Sequence, residues 1–455
     1  MRTSQDQSPD TPSSDLRRLL RLSPWHTFLM FLRWAGPSLM VSIAYMDPTN
    51  YATDLAAGAG YRYDLLWVCW MAPAIGMLLQ YLSGKLGIAT GRSLPELIRA
   101  SFGGKGRYVV PYWLAAEFVA AITDLAEYIG TVLGLNLLLG VPLFYAAILG
   151  AADVVILLAF TSSRFRVIEQ YFLILISILV IGIFYNLLIV RPDAAQVVYH
   201  LAVPAISNSS ALLVAVGMLG ATVMPHALFV HSWLSRKKMD DMGRWARGGS
   251  PNADAAPEAV KSQGAQPWLT IQEKMRLTRF HRNETILTLS IAGAVNAGIL
   301  LVAIPLYPNL SLSISAFVSG LSSVYGLTVG TILVLVLLAS GLASSALGTI
   351  AGQSIMEGLI GRSGHVWRRR VVTRLINVLP ASLAVLAGLD PLHLLVIIPA
   401  ILSIMLPLPI VPLIYYTSRT RFMGPLINKD ITILLAIFVL LLILLLNGFL
   451  LTSVL

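Results

Sequence analysis

The chain has 455 residues, of which 56% are apolar and 12% charged, about half the roughly 25% charged share of soluble domains. With a mean hydropathy of +0.77 and runs such as 431–446 that carry no charge over most of a bilayer's thickness, it is an integral membrane protein, and a soluble globular domain is excluded. The single cysteine, Cys69, excludes an intramolecular disulfide and a thiolate metal cluster, so any site chemistry rests on oxygen, nitrogen or thioether groups.

In chain order, residues 1–33 begin Ser, Asp, Gln and Arg rich and read as a disordered cytoplasmic tail without the cleavage pattern of a signal peptide. Apolar runs then predict eleven spans: 34–58, 65–84, 108–139, 142–160, 167–190, 211–234, 284–306, 328–352, 371–389, 393–417 and 430–453. The stretch 235–283 reads as a cytoplasmic linker, floppy over its Ala/Gly/Ser/Pro-rich piece 248–266, and 311–325 as a short amphipathic surface helix. Thirty of the 32 Lys and Arg fall in connections or at span ends on the side of the N-terminus, leaving only Arg62 and Arg191 on the other. The positive-inside rule therefore sets the N-terminus in the cytoplasm and the C-terminus outside. Topology thus accounts for the net charge of +10, and charges scattered over helix ends are not a nucleic-acid surface. A compact multi-pass chain of this kind suits a bacterial inner membrane and is expected to be a monomer.

Two spans carry groups that lipid does not tolerate without a reason. The first holds Asp47-Pro48-Thr49-Asn50 near its midpoint and the sixth holds Met224-Pro225-His226. Each proline removes a backbone N–H and disfavours helix in the residue before it, so both spans are predicted to break there. A lone mid-span proline is commonly a simple kink. Two, at corresponding positions of the halves 34–190 and 211–417, point instead to an inverted repeat of five plus five helices with its site at the interface, and 430–453 becomes an appended helix.

The third span carries Glu117, Asp124 and Glu127, which fall within an arc of about 80° on one helix face. With Asp47 these carboxylates would cost on the order of 10 to 14 kcal/mol if unpaired. The stripe reads as a water-lined ion or proton route, with Arg369 and Arg370 available to pair at its cytoplasmic end. His226 and His231 titrate near neutral pH, although for His231 a hydrogen-bonded interior role is equally open. Asp153 and Glu357 are weaker candidates that sit near an interface.

At the centre, a carboxylate (Asp47), an amide oxygen (Asn50), a thioether (Met224) and the carbonyls freed at broken helices make a cation site. The sulfur favours a transition metal over Mg²⁺ or Ca²⁺. These residues, together with Gly220-Ala221-Thr222-Val223 before Met224, the run Thr123-Asp124-Leu125-Ala126-Glu127, and Ala351-Gly352-Gln353 with Met356-Glu357-Gly358, resemble the Nramp family of proton-coupled divalent metal transporters. The resemblance implies an all-α LeuT-type fold and no cofactor, the metal being cargo. It implies that Asp47, Asn50 and Met224 hold the ion with the carbonyls of Ala221 and Ala44. It also implies that His226, His231, Glu117, Asp124 and Glu127 serve the proton path. The chain departs from the family pattern at Thr49 (Gly), Ala227 (Asn), Leu342 (a polar residue) and Met405 (a Gln that approaches the ion). Met405 therefore either adds a second sulfur to the site or withdraws a ligand from it.

The expected function is import of Mn²⁺ or Fe²⁺, with Cd²⁺ and Co²⁺, by a proton-coupled secondary transporter. The alternatives are a relative with altered selectivity, such as for Mg²⁺, or loose coupling, and more distantly a carrier of an organic cation on the same fold. No enzyme is expected, since neither a nucleophile–base pair nor an H-E-x-x-H motif is present.

Overall fold

Pro48 and Pro225 each interrupt a helix. In the computed structural model, which describes residues 36–104, 106–152, 165–246, 269–308, 313–361 and 391–454, the first span is a short helix α1 (Pro37–Ser42), a 3₁₀ turn (Ile43–Tyr45) and a second helix α2 (Pro48–Tyr61). Asp47, held extended at φ −78°, ψ 172° by the proline after it, becomes the N-cap of α2. After α3 (Val68–Thr90), α4 (Leu94–Ser101), α5 (Gly106–Leu139), α6 (Leu143–Gly150), α7 (Phe165–Val190) and α8 (Ala194–Ala202), the sixth span repeats the device. Helix α9 (Ser209–Thr222) stops, Val223 is extended at φ −95°, ψ 92°, and α10 (Pro225–Ala246) begins.

The rest follows as α11 (Ile271–Ala303), α12 (Ile314–Tyr325), α13 (Leu327–Ile360), α14 (Pro391–Met405), α15 (Pro407–Thr417), α16 (Thr420–Met423) and α17 (Asp430–Val454). Among the described residues, seven helices are long and apolar enough to cross a membrane. The amphipathic helix expected near 311–325 is α12. The tail 1–33, the linker piece 248–266, Asp153, Arg369, Arg370 and the ninth span 371–389 lie outside the described residues, as does most of the fourth span beyond α6.

One expectation is corrected. The stretch 235–283 is not a linker throughout, because α10 continues to Ala246 and α11 starts at Ile271 behind a capping box formed by Thr270 and Glu273. The tenth span crosses as one apolar stretch, Ile397–Thr417, with a kink at Leu406 before Pro407, where α14 gives way to α15.

Close helix approaches are made through small residues, as is usual in membrane bundles. A Cβ on Gly58 of α2 would lie 2.1 Å from the Leu300 carbonyl oxygen of α11, and one on Gly220 of α9 would lie 2.6 Å from the Pro399 carbonyl of α14. Helices α5 and α13 pack along their length, Gly341 against Thr131 and Gly348 against Glu127. Both breaks lie deep in this packing, with Met46 and Met224 in one apolar cluster and Val223 in the neighbouring one.

Candidate metal site

A helical carbonyl normally accepts from the N–H four residues later, and proline has none. Pro48 therefore deprives the Ala44 carbonyl of its helical donor, and Pro225 does the same to Ala221. At the second break the Ala221 carbonyl accepts from a side chain of the first, Asn50. The carbonyls that follow Ala44 are taken: Asn296 Nδ2 donates to Tyr45 O (2.9 Å) and Ser340 Oγ to Met46 O (2.5 Å).

Asn50 joins the two breaks. Its Nδ2 donates both to Asp47 Oδ1 (2.7 Å) and to Ala221 O (3.1 Å), while its Oδ1 accepts from Thr222 Oγ1 (2.7 Å) and Asn296 Nδ2 (3.4 Å). The backbone N–H of Asn50 caps Asp47 Oδ1 (2.9 Å). Thr49 Oγ1 lies 2.7 Å from Asp47 Oδ2 and 2.9 Å from Oδ1, and it is the hydroxyl nearest the carboxylate's second oxygen. Asp47, Thr49, Asn50, Ala44, Ala221 and Met224 are all 0% exposed. The acid, the amide and the Ala221 carbonyl thus meet in the packed centre, and Ala44 and Met224 are buried in one apolar cluster beside the first break.

Residues 38–453 match the Nramp family, natural resistance-associated macrophage protein-like. The chain belongs to the Nramp family. It is 36% identical over 435 residues to a divalent metal cation transporter MntH of Granulibacter bethesdensis (93% of this chain, 90% of that one). It is also 36% identical over 425 residues to the MntH of Acidiphilium cryptum (92% and 89%). A mutant of the Eremococcus coleocola manganese transporter superposes with a TM-score of 0.77 at 27% identity, covering 94% of this chain and 87% of that one. The fold of the Nramp chain is accordingly that of a multi-pass, all-helical LeuT-type transporter.

The other residues singled out in this Nramp chain fall in different places. Asp124 and Glu127 are buried on α5, with Glu127 against Gly348 of α13, whereas Glu117 is half-buried. His226, the second residue of α10, is buried, and neither ring nitrogen has a hydrogen-bond partner among the described residues. His231 is engaged on both nitrogens, Nδ1 with Gln80 Oε1 (2.9 Å) and Nε2 with Ser38 Oγ (3.4 Å). Met405 is partly buried at the end of α14, packed against the cluster that contains Met224. At the kink before Pro407, Ser403 O accepts from Leu406 N–H (3.2 Å) and from Asn447 Nδ2 of α17 (2.8 Å), so its acceptor capacity is used within the bundle. Glu357 accepts from Trp233 Nε1 (3.1 Å) and Gln353 Nε2 (2.7 Å).

Four groups near the site were not singled out from the sequence. Thr222 and Asn296 fix the Asn50 amide. Gln80 ties His231 to the Tyr45 hydroxyl, donating from Nε2 at 3.1 Å. Asp54, two turns beyond Asp47 on α2, is a further buried carboxylate, 3.8 Å from Cys69 Sγ. Asn296 and Asp54 were signalled by the same criterion that found Asp47, a strongly polar side chain inside an apolar run.

Proposed function

We propose that this Nramp chain imports divalent transition-metal ions, Mn²⁺ or Fe²⁺ with Cd²⁺ and Co²⁺ as further cargo, into a cell whose cytoplasm faces the N-terminus. The observation that carries the reading is Asn50, whose amide bridges the Asp47 carboxylate of one break and the Ala221 carbonyl of the other. An ion of charge +2 replaces that bridge. The amide turns its oxygen inward, the Asp47 carboxylate and the orphaned carbonyls of Ala221 and Ala44 supply oxygens, and Met224 supplies sulfur. A hydrated Mg²⁺ gains nothing from the thioether and sheds water reluctantly, whereas a softer ion gains from both changes. The names of the relatives, divalent metal cation and manganese transporters, support the same cargo.

Transport follows from the breaks. Helices α1 and α10 hinge at 46–47 and 223–224 against the steadier α5 and α13, exposing the site to one side at a time. Inward movement of a divalent ion is favoured by about 4.6 kcal/mol at 100 mV, from about 2.3 per charge. Proton transfer accompanies it. His226 and Asp47 take the proton, and Asp124, Glu127 and Glu117 along one face of α5 lead it inward, with Arg369 and Arg370 at the cytoplasmic end. The protein works as a monomer and without a cofactor.

One feature favours a variant of this reading. Thr49 adds a hydroxyl oxygen at Asp47, which relaxes selection toward harder ions such as Mg²⁺. Proteoliposome uptake decides both. Mn²⁺ accumulation that is lost in Asp47→Ala and resists excess Mg²⁺ and Ca²⁺ supports the main reading, competition by Mg²⁺ supports the variant, and full uptake by Asp47→Ala refutes the site.

A further inference from the structure

The first backbone N–H groups of any helix lack partners within it. At α1 three of them converge on one oxygen from a distant element. Gly36, Ser38 and Leu39 donate to Glu284 Oε1 of α11 at 2.8, 3.1 and 3.4 Å. Around this cap the Ser38 hydroxyl contacts Thr285 Oγ1 (2.9 Å), His281 Nδ1 (3.3 Å) and His231 Nε2 (3.4 Å), and Glu284 Oε2 lies 4.0 Å from His281 Nδ1. Behind it, Gly36 abuts the ion pair of Glu169 on α7 and Lys238 on α10 (2.5 Å), so closely that a Cβ at position 36 would lie 2.0 Å from Glu169 Oε1. A helix of six residues is thus fastened at its start to α7, α10 and α11.

Its far end is fastened too. Tyr45, two residues before Asp47, reaches His231 through Gln80. A primary amide does not pass a proton in its ordinary tautomer, so this chain is a mechanical tie and not a relay. The three N–H bonds to Glu284 and the Ser38 contacts to Thr285 and His281 all break if α1 swings away from α11.

We propose that Glu284 is the positioning residue of the inner gate: its carboxylate holds α1 shut against α11, and letting go of the three N–H groups opens the way from Asp47 to the cytoplasm. The inference takes only the sidedness from the transport reading above, and its test contains no metal, so the two fail separately.

The test uses the full chain in inside-out vesicles, with Cys69→Ala removing the native thiol and Met40→Cys, at a fully buried position of α1, as reporter. An impermeant thiol reagent is applied from the cytoplasmic face. Glu284→Gln, which keeps the shape but loses the charge on the acceptor, is expected to raise the labelling rate about tenfold, since charge-assisted bonds are roughly twice as strong as neutral ones. Glu284→Asp falls between, and Ser38→Ala, which leaves the carboxylate in place, gives a smaller rise. A Glu284→Gln protein that is monodisperse and labels at the parental rate overturns the proposal.

Discussion

Replacing Thr49 by Val removes the hydroxyl at Asp47 while keeping the branched shape in a fully buried position. That hydroxyl is shared between both carboxylate oxygens, at 2.7 and 2.9 Å, and so counts as one charge-assisted bond of about 1.5 to 3 kcal/mol. Asp47 Oδ1 keeps two donors from Asn50, so the loss falls on Oδ2, the oxygen an approaching ion meets with least competition. Groups that orient a metal ligand in this way are worth about 10- to 100-fold in affinity, and the bond energy corresponds to the same range at about 1.4 kcal/mol per factor of ten. Titration calorimetry with Mn²⁺ is expected to show Thr49→Val weakened by at least about tenfold, with Thr49→Ser close to the parent. Equal affinity in the Val variant, or equal weakening in the Ser variant, refutes the assignment of that hydroxyl.

Three further outcomes follow. Met224→Ala should keep residual Mn²⁺ uptake but lose rejection of Ca²⁺ and Mg²⁺ in competition assays, and unchanged selectivity counts against a sulfur ligand. Met405→Gln, compared for Mn²⁺ and Cd²⁺ affinity, should shift at least one ion if Met405 reaches the cargo, and no change for either removes it from the site. Gly58→Ala puts a methyl 2.1 Å from the Leu300 carbonyl oxygen, an overpacking of about 1 to 3 kcal/mol. It should lower the thermal midpoint of the purified protein, and an unshifted midpoint contradicts the close α2–α11 approach.

The parts of this site that were legible in the sequence are those written in local chemistry. Pro48 and Pro225 mark their breaks because proline's missing N–H is a property of one residue, and Asp47 stands out because a carboxylate in an apolar run is costly. Hydropathy located the spans but not the helix ends. Arg236, Lys237 and Lys238 look like loop to a hydropathy scan while continuing α10, and the capping box at Thr270 and Glu273 was the readable sign that α11 starts well before 284. The anchoring of α1 was not legible at all, since Glu284 is 248 positions from Gly36 and no local pattern links an acid on one helix to the open N–H groups of another. The same holds for Asn447, which donates from α17 to Ser403 O beside the kink at Leu406.

The most direct measurement is calorimetric titration of the purified protein with Mn²⁺, Cd²⁺, Mg²⁺ and Ca²⁺, beside the Asp47→Ala variant. Saturable binding of Mn²⁺ and Cd²⁺ but not of Ca²⁺, abolished in the variant, is the predicted result. Undiminished Mn²⁺ affinity in Asp47→Ala would mean that the two broken helices do not hold the ion.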